Sequence, residues 1–182
     1  SLLHQLAFDN RDALLKALIT KHPNLNLNIQ DSVSLTPLSY AIASSSLTCV
    51  QVLLEHGARI DIRDHIGETA LHHAVLSSNI GIVRSLLERI RGSRQLDKDN
   101  EIDRSEVAEL VNVQDNNACA PLHLAASTGS MEMIELLLLY GGSLTLIDST
   151  NMVPAHYAYR KFTKEIDRRK TLEDQIKRNQ TE

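Results

Sequence analysis

The chain is poor in the residues that usually give bulk to a core, since its 182 residues include no Trp, two Phe and four Tyr. Apolar residues nevertheless make up 42% of the chain, a share typical of packed soluble domains, so we expect Ala and Leu to replace aromatic bulk. Cysteine is also scarce: Cys49 and Cys119 lie far apart and lack the C-x-x-C spacing of a metal or redox site. These thiols favour a reducing compartment inside the cell.

Long apolar runs and a strong charge of one sign are missing too. The longest apolar stretch, Leu136–Leu139, is far shorter than the roughly 20 residues that cross a bilayer, so we expect no membrane span. A formal net charge of −4 argues against direct binding of nucleic acid, because such proteins usually carry a basic surface. Residue 1 is not Met, and we expect the chain to be a segment of a longer protein.

What the sequence does contain is a short motif that returns at regular spacing. Its five copies read SLLH at residues 1–4, TPLS at 36–39, TALH at 69–72, APLH at 120–123 and VPAH at 153–156. Successive copies from residue 36 begin 33, 51 and 33 residues apart, and 51 equals 33 plus an insertion of 18. A second apolar helix pattern follows each of the first four copies, as in Cys49, Leu53 and Leu54. The spacing therefore predicts stacked pairs of helices.

A period near 33 residues built on T-P-L-H-x-A resembles the ankyrin repeat. The resemblance covers about residues 1–160 and implies an all-α solenoid of stacked helix–turn–helix units with one continuous core. It places the units at about residues 1–30, 31–63, 64–114, 115–147 and, as a partial fifth, 148–160. The third unit carries an insertion at about 91–110, and residues 161–182 follow as a charged C-terminal helix that caps the stack.

The chain departs from the family pattern at several helix ends. Gly129 is the glycine expected at the turn between paired helices, whereas Asn10, Ser45 and Ser78 hold its place in the other units. We expect those three turns to be either strained or rearranged, since glycine takes the left-handed conformation at little cost. The third unit has Ile90 where the helix-ending glycine belongs, so its outer helix is predicted to run on into the insertion.

Half of the 20 inserted residues are charged. Residues Leu96–Asp103 offer too little apolar surface to order themselves, whereas Ser105–Leu110 is predicted to form a turn of helix with Ser105 as its cap. Two interpretations stay open for the insertion. It is either a tolerated surface loop or a segment that recognises a partner or carries regulation.

The chain changes character after Tyr159. Residues 160–178 contain eight Lys or Arg against four Asp or Glu. Tyr159, Phe162 and Ile166 share one helix face, which we expect to seal the exposed side of the last unit. The alternative is a basic tail that binds a membrane or nucleic acid.

Eight histidines raise the question of metal binding or catalysis. Four of them hold the fourth position of the motif, where the family resemblance implies hydrogen bonds to neighbouring backbone. These are His4, His72, His123 and His156. His73 adjoins His72, but neighbouring helical residues point roughly 100° apart and do not form a metal pair. The sequence lacks H-E-x-x-H, G-x-S-x-G, a P-loop and a dinucleotide-binding turn, so we expect no metal, no cofactor and no enzymatic activity.

In the ankyrin family, partners commonly dock on the turn tips and on the exposed side of the inner helices, which line a concave face. The candidate partner-binding positions in this sequence are Phe8, Leu35, His65, Ile66, Glu68, Leu76, Asn116, Asn117, Met152 and Tyr159. Folding does not require the apolar members of this set, so they are predicted to form a patch on the concave face. The alternative is that some of them fold back onto neighbouring turns.

The resemblance implies a non-catalytic protein–protein interaction module, monomeric on its own, within a larger intracellular regulator or scaffold of the cytoplasm or nucleus. The interrupted array is similar in layout to ankyrin regions of transcriptional regulators, namely IκB-like inhibitors and fungal Swi/Mbp-type factors. The alternative is an accessory domain that targets or inhibits an enzyme, a channel or a lipid-handling protein.

Overall fold

The computed structural model describes residues 1–92, 104–164 and 168, and this part of the chain is helical with no β-strand. The first nine helices are α1 (Leu2–Phe8), α2 (Asp12–Lys21), α3 (Pro37–Ala43), α4 (Leu47–Glu55), α5 (Ala70–Leu76), α6 (Ile80–Gly92), α7 (Arg104–Val111), α8 (Pro121–Thr128) and α9 (Met131–Leu139). A tenth helix, α10, begins at residue 154 and is described to residue 164. The predicted all-α class is confirmed.

The helices stack in two layers. Inner helices α1, α3, α5 and α8 each contact the next, and outer helices α2, α4, α6 and α9 each pack against their own inner partner. Aliphatic side chains fill the space between the layers. The largest fully buried ones are Leu15, Leu38, Ile42, Leu53, Leu71, Ile82, Leu86, Leu87, Ile90, Leu122, Met133 and Leu137. Leu and Ile therefore supply most of the bulk that aromatic residues provide in other cores.

Side chains at the helix starts satisfy backbone amides that have no partner inside the helix. Thr36 Oγ1 accepts a hydrogen bond from the Ser39 amide at 3.2 Å, and Pro37 occupies the first turn, where its missing N–H removes nothing. In α5 the imidazole of His72 contributes as well, since its Nδ1 accepts from the Thr69 amide at 3.1 Å. The recurring motif therefore specifies where each inner helix begins.

The turn between paired helices has the same backbone conformation in the first four pairs. Its φ angle is 56° at Asn10, 55° at Ser45, 54° at Ser78 and 72° at Gly129. All four angles are left-handed, a conformation that costs a residue other than glycine roughly 1–2 kcal/mol. Of the two predicted outcomes, strain is confirmed and rearrangement is not.

A ladder of side-chain hydrogen bonds joins the segments that precede the turns. We call these segments, which contain Gln30, Arg63, Gln114 and Ile147, the arms. Nε2 of Gln30 donates to the Ser34 carbonyl of its own turn at 2.9 Å and to the Arg63 carbonyl of the next arm at 3.1 Å. Arg63 in turn donates to the Gln114 carbonyl, and Gln114 donates to the Ile147 carbonyl at 2.9 Å. The ladder connects four successive arms, so it fixes the spacing of the turns.

The insertion is partly built into the stack. As predicted from Ile90, α6 runs on to Gly92, and the Ile90 side chain is buried. The predicted cap at Ser105 is wrong, because α7 is eight residues long and contains Ser105. The helix is longer than predicted because it has an apolar face that packs on the stack. Val107 and Val111 are buried in the common core, and α7 packs against α6.

Asn112, just after α7, joins this helix to the fourth pair. Its Nδ2 donates to the Gly141 carbonyl at 2.8 Å, and its Oδ1 accepts from the Ser143 amide at 2.7 Å. The end of the insertion is therefore part of the solenoid. Leu96–Asp103, for which the sequence predicted too little apolar surface, lies outside the described residues.

Helix α10 packs on the fourth pair, but not through the face that was predicted. Tyr159 and Phe162 are 70% and 55% exposed, so their expected role in sealing the last unit is wrong; Ile166 lies outside the described residues. Contact comes instead from Tyr157, whose ring meets that of His123 edge-on with centroids 5.8 Å apart. In the described part of the chain no outer helix follows α10, so the Tyr159 face has nothing to cover.

Candidate functional site

One aspartate organises each turn that precedes an inner helix. These aspartates are Asp31, Asp64, Asp115 and Asp148. In each case Oδ1 accepts hydrogen bonds from the amides two and four residues further on, at 2.7–3.0 Å. The residue three after the aspartate is left-handed in every turn. These residues are Ser34, Gly67, Ala118 and Asn151. The four turn tips therefore share one shape.

Backbone hydrogen bonds connect each tip to the next. The bonds run from the amides of His65, Asn116 and Ser149 to the carbonyls of Val33, Ile66 and Asn117, at 3.3, 3.0 and 2.9 Å respectively. The side chains of Val33 and Ile66 remain exposed at these tips. We call residues 32–33, 65–66, 116–117 and 149–150 the tip row. Its members are held at fixed spacing before any partner arrives.

The motif histidines join neighbouring units, as the family resemblance implied. Nε2 of three of them lies within hydrogen-bond distance of a carbonyl of the next turn, whereas His156 accepts at Nδ1 from the Val153 amide of its own unit at 3.1 Å. The pairs are His4 with Leu35 at 3.0 Å, His72 with Cys119 at 3.1 Å and His123 with Met152 at 3.2 Å. In the second unit Ser39 stands at this position and bonds locally to Thr36 instead, at 3.1 Å. These imidazoles are therefore occupied by structural contacts.

A second row runs along the inner helices, four residues after the motif histidine position. Its members are Phe8, Ala43, Leu76, Ser127 and Arg160, and all five are exposed. We call this set the inner-helix row. It is apolar in the first three units and changes to a hydroxyl and then a guanidinium in the last two.

The two rows account for six of the ten predicted partner-binding residues. Those that are exposed in a row are Phe8, His65, Ile66, Leu76, Asn116 and Asn117. Leu35 and Met152 are half-buried, and their carbonyls bond the motif histidines of the preceding units. These two residues therefore belong mainly to the contacts between units, which was the alternative left open by the sequence.

The expected exposure of Glu68 is wrong, because its side chain folds inward and the residue is 9% exposed. The expected place of Tyr159 beside the inner-helix row is also wrong. Tyr159 corresponds in register to Ala126, which is 3% exposed in the fourth unit. Tyr159 is exposed because α10 lacks an outer partner among the described residues, and Arg160 holds the row position in its place.

Sequence reasoning missed Tyr40, which lies one helical turn before Ala43 and meets the ring of Phe8 edge-on at 6.1 Å. Its hydroxyl donates to Asp31 Oδ2 at 2.8 Å, and this hydrogen bond raises the pKa of Tyr40 above its usual value. The sequence signal that could have revealed Tyr40 is its position, because the residue directly after the fourth motif position faces the turn of its own unit.

His73 holds the same position in the third unit and lies between two carboxylates. In the described part of the chain, Asp64, Glu68 and His73 are the group of three potential metal ligands whose ligand atoms lie within 4.8 Å of one another. His73 Nε2 is 3.2 Å from Asp64 Oδ2, without hydrogen-bond geometry, and Nδ1 is 3.5 Å from Glu68 Oε2. The carboxylates approach different ring nitrogens, whereas ligands of one ion converge on it.

Burial shifts the pKa values of two members of this group, His73 and Glu68, in opposite directions. Desolvation lowers the pKa of His73, an effect that Asp64 opposes. Desolvation also raises the pKa of Glu68, and the nearby charge of Asp64 adds to it. We interpret the group as packing contacts within the turn of the third unit.

A cleft of about 430 Å³ opens between the end of α8 and α10. Its lining residues are Ser127, Tyr157, Arg160, Lys161, Lys164 and Arg168. We call it the basic cleft, because four of these residues are cationic and none is acidic. It lies at the C-terminal end of the inner-helix row, which contributes Ser127 and Arg160.

Among the described residues, Asp148 bonds to a residue that lines the cleft, Tyr157, and its carboxylate oxygens are already engaged. Its Oδ2 accepts a hydrogen bond from the Tyr157 hydroxyl, and its Oδ1 accepts from the amides of Thr150 and Met152. Burial alone would raise the pKa of Asp148, but these hydrogen bonds outweigh burial and hold the pKa well below its usual value. Asp148 is 4% exposed, so it does not present a carboxylate to the cleft.

Two family models match this chain. Residues 3–100 match a model of ankyrin repeats in three copies, and residues 117–149 match a model of the ankyrin repeat. The first match alone spans 98 residues, counted from 3 to 100, which is more than half of the 182 in the chain. None of the helices described has the length and apolar character needed to cross a membrane.

Proposed function

The chain belongs to the ankyrin-repeat family, and on that premise we propose that it is a non-catalytic protein-binding module whose partner lies along the tip row and the inner-helix row. Ankyrin repeats are generally protein–protein interaction modules. The proposal goes further, because it assigns the contact to one face of this chain and to particular side chains on that face.

The observation that carries the proposal is the cluster of exposed apolar side chains on these two rows. Phe8 and Leu76 are 52% and 48% exposed on the inner-helix row, and Val33 and Ile66 are 40% and 41% exposed at adjacent tips. Tyr40 adds its ring beside Phe8. Several exposed apolar residues on one face often mark a binding site, whereas isolated ones are ordinary.

The rows are also preorganised. The Asp64 carboxylate holds the second tip in place through the amides of Ile66 and Glu68, each at 2.9 Å, and the same pattern recurs in the other tips. A partner therefore binds a surface whose backbone is already ordered, and the entropy lost on binding is reduced.

We extend the proposal to a regulator or scaffold inside the cell. Both cysteines are free thiols, and Cys49 is buried in the core. Desolvation raises the pKa of the Cys49 thiol, which keeps it protonated and unreactive. Unpaired cysteines of this kind are typical of proteins in reducing compartments.

The test is the double variant Ile66→Ser with Leu76→Ser, used to capture partners from a cell extract beside the unchanged protein. Full burial of an exposed aliphatic side chain contributes roughly 1.5–3 kcal/mol, and Ile66 and Leu76 are 41% and 48% exposed, so about 1 kcal/mol is available from each. We therefore expect the double variant to capture much less of the partner while its thermal melt is nearly unchanged. The matched control is Leu139→Ser, since Leu139 is 79% exposed on the outer helix α9. Equal capture by both variants would place the partner elsewhere on the molecule.

A further inference from the structure

We propose that the basic cleft binds an acidic segment of a protein partner. This inference rests on the proposed function, because the cleft is the C-terminal end of the same inner-helix row. It adds the chemistry of the partner: apolar side chains at the first three units and carboxylates at the last.

The first argument is unbalanced charge. Within the described residues, Lys164 and Arg168 have no ion-pair partner, and the guanidinium of Arg160 contacts only the Met152 sulfur, at 3.8 Å. Asp148 is withdrawn from the cleft, as shown above. A carboxylate that enters the cleft therefore meets several cationic donors and does not have to displace an existing ion pair among the described residues.

The second argument is that one wall of the cleft is fixed. Lys161 Nζ donates to the carbonyl of Thr128, the last residue of α8, a favourable place for a cation because the helix dipole is negative there. Its aliphatic stem crosses Gly129 so closely that a Cβ built on Gly129 would lie 2.9 Å from Lys161 Cδ. The absence of a side chain at Gly129 thus leaves room for the Lys161 stem to lie in this position.

The third argument distinguishes an acidic peptide from a long polyanion. The whole chain carries a net charge of −4, and residues 160–178 contribute eight positive minus four negative charges, or +4. The remainder of the chain therefore carries −4 minus 4, or −8. A nucleic acid or an anionic membrane would extend beyond the cleft and meet this negative remainder, whereas a short acidic segment would not.

The spacing of the rows also predicts the partner's layout. Leu76 lies in the third unit and Arg160 in the fifth, two steps apart along the stack. Packed helices are about 8–10 Å apart, so the two steps span about 16–20 Å, which an extended peptide covers with about five or six residues. We therefore expect the acidic residues of the partner to lie about five or six residues from its apolar ones.

The experiment uses fluorescein-labelled synthetic peptides and fluorescence anisotropy at physiological salt. The first peptide carries two leucines, a five-residue Gly/Ser spacer and four glutamates; the second replaces the glutamates with glutamines, and the third lacks the leucines. The cleft variant is Lys164→Glu with Arg168→Glu. Its control is Lys16→Glu with Lys21→Glu, which changes the net charge equally at two exposed positions of α2.

We expect the glutamate peptide to bind at least tenfold more tightly than the glutamine peptide, and the cleft variant to lose about that factor. The control pair should change binding by less than about threefold, since exposed charges away from the site act weakly. Equal affinity for the glutamate and glutamine peptides, or undiminished binding by a folded cleft variant, would overturn the proposal. Folding of each variant is checked by circular dichroism.

Further measurements distinguish a failure of this proposal from a failure of the proposed function, and distinguish an acidic peptide from other anionic ligands. Suppose the leucine-free acidic peptide still requires the cleft, while the Ile66→Ser with Leu76→Ser variant binds the first peptide normally. The basic cleft would then stand, and the apolar rows would fail. Single-stranded DNA and phosphatidylserine vesicles serve as polyanion probes: if the cleft variant loses binding to either while no acidic peptide binds, the inference is wrong.

Discussion

Val111→Ala tests whether α7 belongs to the core. Val111 is 1% exposed and packs within the common cluster. The change removes two methyl groups, each contributing about 0.8 kcal/mol by transfer from water, and leaves a cavity that adds to the loss. We expect the free energy of unfolding to fall by about 2 kcal/mol, which for a chain of this size lowers Tm by about 4–8 °C.

The assay is urea unfolding followed by circular dichroism, with the slope m compared between proteins so that a changed unfolded state is recognised. Val33→Ala is the control, because it makes the same chemical change at a valine that is 40% exposed. We expect that control to stay within about 0.5 kcal/mol of the unchanged protein.

Equal, small effects at Val111 and Val33 would refute the packing of α7 and return the whole insertion to the status of a surface loop. A companion change concerns residues 93–103. Replacing them with a short Gly/Ser link should leave Tm nearly unchanged, since the free energy of closing a connection depends only weakly on its length. Extending the replacement through residue 111 should lower Tm by more than Val111→Ala alone.

Three further substitutions test the turns. Ser45→Gly and Ser78→Gly should each raise the free energy of unfolding by about 0.5–1 kcal/mol. Glycine relieves the left-handed strain, although the greater freedom of the unfolded chain offsets part of the gain. A lower free energy of unfolding in urea melts would mean that these turns are not strained. Tyr157→Phe removes a hydrogen bond that lowers the pKa of Asp148. The variant should therefore lose the most unfolding free energy above about pH 4, where Asp148 is ionised, and the loss should shrink as the pH falls below that value. The same cost at pH 3 and pH 7, or an equal loss for the control Tyr140→Phe, would contradict this assignment.

Local signals made much of the fold predictable from the sequence. The Pro37 start, the left-handed turns at Ser45 and Ser78 and the bonding role of His72 each depend on a few consecutive residues and one neighbouring unit. Repetition then confirmed each signal several times along the chain, because every unit must stack on a unit like itself.

The errors arose where a side chain's surroundings depend on a neighbour that the repeat pattern does not supply. Glu68 is 9% exposed and lies 3.5 Å from Nδ1 of His73, which stands at a position where the second and fifth units have tyrosine. Tyr159 is exposed because its face lacks an outer helix among the described residues. The basic cleft was not predicted either, since it requires α10 to cross Gly129, a contact between units that no single motif encodes.

The position of α10 at the end of the described part of the stack has a consequence for how this part of the molecule opens. An internal unit is held by two interfaces, whereas among the described residues α10 contacts one neighbouring unit, the fourth, through Tyr157 on His123 and Lys161 on Thr128. In a one-dimensional array, such a boundary unit detaches at the lowest free energy. Since the basic cleft exists only while α10 is docked, ligand occupancy and docking of this last helix are thermodynamically linked.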